Sequence, residues 1–340
     1  MTLLRLCLLS PLICFLGEAA SAEPDAGSAA LERAGKAAFF TFRFENDYFF
    51  GLDKHYTSGL RFGYVTPEGT VPIGAEPALK ALGLVGKTAK LRTQYALSQH
   101  IYTPDDIEVA NPPLTDRPYA GLLTFDTSIL AQSKTHLDIF GISVGVTGRP
   151  SLAQDLQIGI HSLLPSSPRP QGWATQVPFE PVFQAKYDRI QYIGAYHNTG
   201  IQWDFQPRAG FDLGKAFVNG YVGGQVRLGN RLYREPGAGL NRPGAPGVDW
   251  FAIPEKGQVD IYAFLGFDAR LVGRNVSLDG GLRDFDRAVD RDIFVTDISA
   301  GGAVASRLGR ITFTAMRRQR EFSTQVGPDW YGSLSISVPF

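Results

Sequence analysis

WYGSLSISVPF, residues 330–340, ends the chain as a strict alternation: Leu334, Ile336, Val338 and Phe340 fall on one face, and Ser333, Ser335 and Ser337 on the other. Side chains in a strand point alternately to opposite faces, so this is a β-strand with one oily and one polar side. A soluble sandwich turns its oily faces inward, whereas a transmembrane barrel turns them to lipid and keeps the polar faces in its lumen. A final apolar strand closing on phenylalanine is the form that outer-membrane assembly machinery recognises. Phe340 is therefore expected to engage that machinery, and the fold is expected to be an outer-membrane barrel.

Earlier stretches repeat the pattern. Val259, Ile261, Ala263, Leu265 and Phe267 oppose Asp260, Tyr262, Asp268 and Arg270; Val218, Val222 and Val226 oppose Asn219, Gln225 and Arg227; Phe183, Ala185 and Tyr187 oppose Gln184, Lys186 and Asp188. Alternating runs lie near 37–47, 55–66, 91–102, 119–132, 135–147, 179–191, 199–212, 216–229, 257–270, 274–283, 292–305, 309–320 and 330–340. Single-chain bacterial barrels have even strand numbers, so one run is surplus. The reading is all-β: an antiparallel up-and-down barrel of about 12 strands, with the weakest runs at 199–212 and 274–283. Between strands, a short helix is expected at 77–84 and another in SLAQDLQIGIHSLL (151–164), where Ser151 can cap a run of Leu152, Leu156, Ile160 and Leu163. The latter places a helix in an extracellular loop.

Residues 1–22 read as a cleavable secretory signal, with Arg5, an apolar run and the small-residue ending Ala20-Ser21-Ala22. The mature barrel domain then spans 23–340. Both cysteines, Cys7 and Cys14, lie in the signal, which leaves no thiol for a disulfide, a metal site or a nucleophile. Acidic and basic residues number 33 each, a neutral balance that argues against nucleic-acid binding. Aromatics make up 12% of the chain and glycines number 38, an uncommon mixture for a soluble α/β enzyme.

FFTFRFENDYFF (39–50) locates the candidate chemistry. With Phe40, Phe42 and Phe44 facing lipid, Thr41, Arg43, Glu45 and Asp47 face the lumen, and Glu45-Asn46-Asp47 marks the strand's top. Asn46 falls in the lipid-facing phase unless the strand ends or bulges there. A short hairpin from Asp47 to Thr57 gathers carboxylate, amide and hydroxyl oxygens. That is either a hydrogen-bonded rim or a site for a hard cation such as Ca²⁺. Asp53 reads as a turn residue, and His55 and His100 as rim residues. His136 and His197 lie near turns and carry no signal. His161 shares a helix face with Gln157 and is either structural or a general base. There is no G-x-S-x-G elbow, so a hydrolase here would use activated water. Trp173 and Trp330 read as interfacial belt residues. Arg117, Lys186 and Arg189 could meet phosphates, but barrel charges usually pair with one another and none is assigned.

FENDYF, GLDKHYTSGLRFGY, QHIYTPDDI, DRPYAGLLTFD, DLQIGIHSLL with GWATQVPFEP, and RNVSLDGG occur in this order from residue 39 onward. Together they resemble the family of LpxR-type outer-membrane lipid A deacylases. The chain departs from that family's pattern at Leu52 and at Asp279-Gly280-Gly281. The resemblance implies a twelve-stranded barrel whose site lies between the wall and the outer leaflet. There it would remove the 3′-linked acyloxyacyl chain of lipid A, with Ca²⁺; the barrel itself is expected to be a monomer in the bacterial outer membrane. It implies Asn46 and Asp47 as site residues, Thr57 as their neighbour at the metal, His161 as the base that activates water, and Glu180 as a calcium ligand or orienting group. The competing classes are an outer-membrane phospholipase, which would need a Ser-His pair absent here, and a non-enzymatic porin or scaffold, which would need an open lumen.

Overall fold

Alternation of this kind can satisfy its backbone in lipid only by closing on itself, and the computed structural model is a closed antiparallel barrel. It describes residues 28–163, 168–195, 200–237, 247–282 and 285–340. The expected signal segment 1–22 and His197 lie outside these. The strands are β1 (Phe39–Asn46), β2 (His55–Val65), β3 (Lys90–Thr103), β4 (Ala120–Gln132), β5 (His136–Thr147), β6 (Pro181–Gln191), β7 (Ile193–Ala195), β8 (Gln202–Gly214), β9 (Phe217–Gly229), β10 (Asp260–Asn275), β11 (Phe294–Ser306), β12 (Gly309–Arg318) and β13 (Asp329–Pro339). Each pairs with its neighbour, β1 pairs with β13 and β6 with β8, so the ring has no free edge. The short β7 pairs with β8 below β6 and continues its line past Tyr192, which gives twelve walls from thirteen segments.

The weak run at 199–212 is a true strand, β8. The run at 274–283 is not. Asn275 ends β10, and its side chain accepts the Ser277 N–H and caps a single helical turn, α4 (Val276–Asp279), which Gly280 terminates at φ +70. Local capping outweighs a brief alternation. Among the described residues no helix is long and apolar enough to cross a membrane.

The two faces separate as the alternation requires. In β10, Ile261, Leu265 and Phe267 point outward and are exposed, while Asp260, Tyr262, Asp268 and Arg270 point inward and are buried. With an even number of strands the start of β1 and the end of β13 sit at one end of the barrel, the periplasmic end of an outer-membrane barrel.

From that end two segments enter the lumen. Helix α1 (Ser28–Lys36) packs Ala30 and Ala34 against the 247–253 stretch of the β9–β10 loop, where Ile253 donates its N–H to Ala30 O. That stretch carries Asp249, which accepts from Arg43 at 3.2 Å and Arg61 at 3.1 Å, and Trp250, which lies 4.5 Å beneath Arg92. Glu235, from the same loop, faces Arg227 and Arg310. Gly63 is needed for this approach: a Cβ there would fall 2.3 Å from Asp249 Oδ2. The periplasmic half of the lumen is thus occupied by side chains and a folded-in loop.

Asp249→Ala would strand two buried guanidiniums. Removing one partner of a buried ion pair costs about 3–5 kcal/mol. The variant should therefore denature at a clearly lower temperature than the wild type, whereas Glu76→Ala, an exposed helical pair, should not.

Candidate active site at the extracellular rim

Where β1 leaves the membrane, its chain turns through a single 3-10 turn, Asp47–Phe50, closed by Gly51 at φ +69. Asn46 caps the turn: its Oδ1 accepts the Tyr48 N–H at 2.8 Å. The strand has ended at Asn46, so its side chain serves the rim rather than lipid. Asp47 is buried, and its Oδ2 accepts the Lys54 N–H at 2.6 Å. Among the described residues its Oδ1 has no partner, and neither do Asp53 Oδ1 and Asp329 Oδ2. Burial raises the Asp47 carboxyl well above the usual range; the Lys54 N–H opposes this, and Asp53 and Asp329 push it further up. Burial raises Asp53 too, partly offset by His161. Three acids with orphaned oxygens therefore crowd one rim position.

The expected helix forms as α3 (Ala153–Leu163). It does not crown the barrel but lies against its outer wall. Ile101 and Gly121 pair across β3 and β4 on the lipid-facing phase, and they are covered by Ala153, Trp173 and Ser151. Ser151 accepts from the Ala153 N–H, and Leu152, at φ +60, stands between them at the helix start. Trp173 is therefore not a belt residue. It is buried against Tyr119 at 4.8 Å and donates to Gln157 Oε1 at 2.8 Å, which occupies Gln157 structurally. Trp330, exposed beside Phe50, does sit as a belt residue would.

On α3, His161 Nδ1 lies 2.7 Å from the Pro168 carbonyl. A carbonyl can only accept, so Nδ1 carries the proton and Nε2 presents a lone pair. That Nε2 faces Asp53 Oδ2 at 3.7 Å, too long for a hydrogen bond but close enough to stabilise an imidazolium. The structure thus joins Asp47, Asp53 and His161. Asp53, read from the sequence as a turn residue, joins the candidate group by facing His161; its place in the hairpin between Asp47 and Thr57 was the available signal.

Thr57 lies in a β-bulge between Tyr56 and Ser58, which takes it out of register with Arg61, and its hydroxyl pairs with that of Thr103 at 2.6 Å. Glu180 stands at the start of β6 and accepts the Leu282 N–H at 2.7 Å; among the described residues nothing ties it to Asp47 or His161. His55, with φ +61, is held at the rim by Asp329 at 2.5 Å, while His100 lies inward, beside the Tyr56 hydroxyl. The three unassigned cations are all paired: Arg117 with Glu321, Lys186 with Asp126 and Arg189 with Asp138. Arg189 is also at the periplasmic end, far from any outer-leaflet headgroup. Although burial would raise it, Glu321 is held down to about 2 by Arg117 and Arg318.

The donors at this rim are hard oxygens, and the orphaned, mutually repelling carboxylates fit a divalent cation. Among the described residues no three His, Cys, Asp or Glu side chains converge enough to hold a metal by themselves. Such an ion would need further oxygens from neutral side chains, main chain, water or substrate.

A closed barrel with an acid-histidine group at its extracellular rim defines an outer-membrane barrel protein with a candidate site at that rim. The chain belongs to the LpxR family: the model described as outer membrane protein LpxR matches residues 7–340. Among solved structures, LpxR from Salmonella typhimurium superposes with a TM-score of 0.70 at 17% identity, covering 89% of this chain and 100% of that one. At that identity the likeness speaks for the fold. The β domain of the Bordetella autotransporter BrkA gives a TM-score of 0.41 at 9% identity over 89% of this chain and 97% of its own. No curated protein matches the chain by sequence.

Because Asp47 titrates above its unfolded value, it favours folding while protonated, and that contribution is lost as pH rises through the raised pKa. In EDTA, barrel stability should therefore fall with rising pH more steeply for the wild type than for Asp47→Asn. Thermal melts of the two across pH, compared as a difference, measure this.

Proposed function

We propose that this protein is a lipid A deacylase that hydrolyses the 3′-linked acyloxyacyl ester of lipopolysaccharide in the outer leaflet, with Ca²⁺ as cofactor. The observation that carries the reading is His161: its Nδ1 is committed to Pro168 O, and its free Nε2 is aimed at Asp53 beside the orphaned Asp47. Family membership supports the same activity. Position supports the substrate class, since α3 covers the outer wall at the height where acyl esters of outer-leaflet lipid sit.

In this mechanism His161 Nε2 takes a proton from water as the water oxygen bonds to the acyl carbonyl carbon. Asp53 stabilises the imidazolium so formed. When the tetrahedral species collapses, the C–O bond to the leaving hydroxyl breaks, and the imidazolium returns the proton to that oxygen. Asp47, its unpaired oxygen pointing into the group, would hold the cation together with Asn46 and Thr57 oxygens; Glu180 would orient the α4 loop through Leu282. When bound, Ca²⁺ supplies charge to polarise the ester carbonyl and offset its developing negative charge.

Purified wild-type chain in detergent with Ca²⁺ should remove one acyloxyacyl unit from lipid A, read by mass spectrometry. EDTA should stop this, and His161→Ala should lower the rate by about 10²-fold or more. Unchanged lipid A with a correctly folded barrel sinks the reading, and a parallel phospholipid arm identifies a different lipid hydrolase.

A further inference from the structure

The connection between β2 and β3 does not hang below the barrel. Leu91 and Ala131 pair across β3 and β4 on the phase that faces lipid, yet they are only 3% and 1% exposed. They are buried by Val85, with Val71, Leu79 and Ala89 packed around them against Ile129 and Phe140. Ile129 lies three residues and Phe140 four residues above the periplasmic ends of their strands, on the order of 10 Å up the outer wall. The loop therefore folds upward along the outside of the barrel, at the level of the inner leaflet.

Its own outer surface is apolar. Ile73 and Leu82 are 106% and 71% exposed, and Leu84 is exposed beside them. They flank helix α2 (Ala75–Ala81), which begins two residues before the expected 77–84 and ends three residues earlier. The helix is bounded by Gly74 at φ +81, with Gly83 at φ +68 closing the turn after it. Lys80 and Lys87 stand on the same segment, Lys80 paired with Glu76 on the helix surface. Water at this position would leave three large apolar side chains unburied on a wall whose adjacent strands already face hydrocarbon. Continuity with that belt identifies the occupant.

We propose that residues 67–89 form a membrane-interfacial foot, with Ile73, Leu82 and Leu84 inserted among the acyl chains of the inner-leaflet phospholipids and Lys80 and Lys87 at the headgroups. Short amphipathic segments bind interfaces by this division of apolar and basic residues. The foot is distinct from the extracellular site and does not depend on its chemistry.

A chain starting after residue 22 has no cysteine, so single nitroxide labels can be placed at Leu82→Cys and Ile73→Cys in full barrels reconstituted in phosphatidylethanolamine–phosphatidylglycerol nanodiscs. Leu97→Cys, on the lipid belt, and Glu255→Cys, in the periplasmic loop, are the references. Both foot labels should collide more with oxygen than with a water-soluble nickel complex, as at Leu97. Either label matching Glu255 would overturn the foot. So would a label shielded from both reagents, which would mean that a second protein copy covers the surface. The Ile73 label decides the matter should Leu82→Cys fold poorly.

Discussion

Closure of the hydrogen-bond ring is the constraint on which the rest of the molecule depends. In hydrocarbon an unpaired backbone N–H or C=O costs several kcal/mol, so β1 must meet β13 and β6 must meet β8. Once the ring is closed, the period of two assigns every side chain to lipid or lumen. That assignment forces charge inward, and inward charge in a narrow barrel has to be neutralised there.

The neutralisation explains the folded-in loop. The walls place Arg43, Arg61, Arg92, Arg227 and Arg310 in the lower lumen. Asp249 and Glu235 arrive from the β9–β10 loop to meet four of them, while Glu68, from the β2–β3 connection, meets Arg92. Each of these guanidiniums has a carboxylate partner, and a paired ion tolerates the low dielectric that an isolated ion does not. The rim behaves oppositely. Glu321 is satisfied by Arg117 and Arg318, but among the described residues Asp47, Asp53 and Asp329 keep oxygens without partners. A chain that gives its buried arginines carboxylate partners below and leaves three acids with orphaned oxygens together above sets that rim apart, as perturbed acids do at functional sites.

The barrel was legible in the sequence because lipid and lumen impose opposite chemistry on alternate residues, which a single chain displays openly. Asn46, Asp47 and His161 could be singled out as candidates for a related reason: polar residues at the end of an oily strand, or in a helix between strands, stand out against their surroundings. What was not legible depends on local geometry. Asn275 capping α4 turned an alternating run into a helical turn. The bulge at Thr57 broke the parity that had placed it with Arg61. Trp173 looked like a belt residue because nothing in its own stretch shows that Gln157 and Tyr119 close over it. Asp53 was passed over because a lone acid in a loop has the same sequence signature whether it turns the chain or faces a histidine across it.

The hairpin between Asp47 and His55 shows how a rigid wall sets a flexible rim. His55 sits at φ +61, a conformation that costs a non-glycine residue on the order of 1 kcal/mol or more. It is held there by Asp329, on the far side of β1, through a 2.5 Å contact. That placement turns the Lys54 N–H onto Asp47 Oδ2 and, one residue earlier, brings Asp53 to face His161. The strain is sustained because both anchors, β2 and β13, are fixed by the closed sheet. The same closure that hides the backbone from lipid therefore fixes the two carboxylates against the histidine that α3 brings down the outside of the wall.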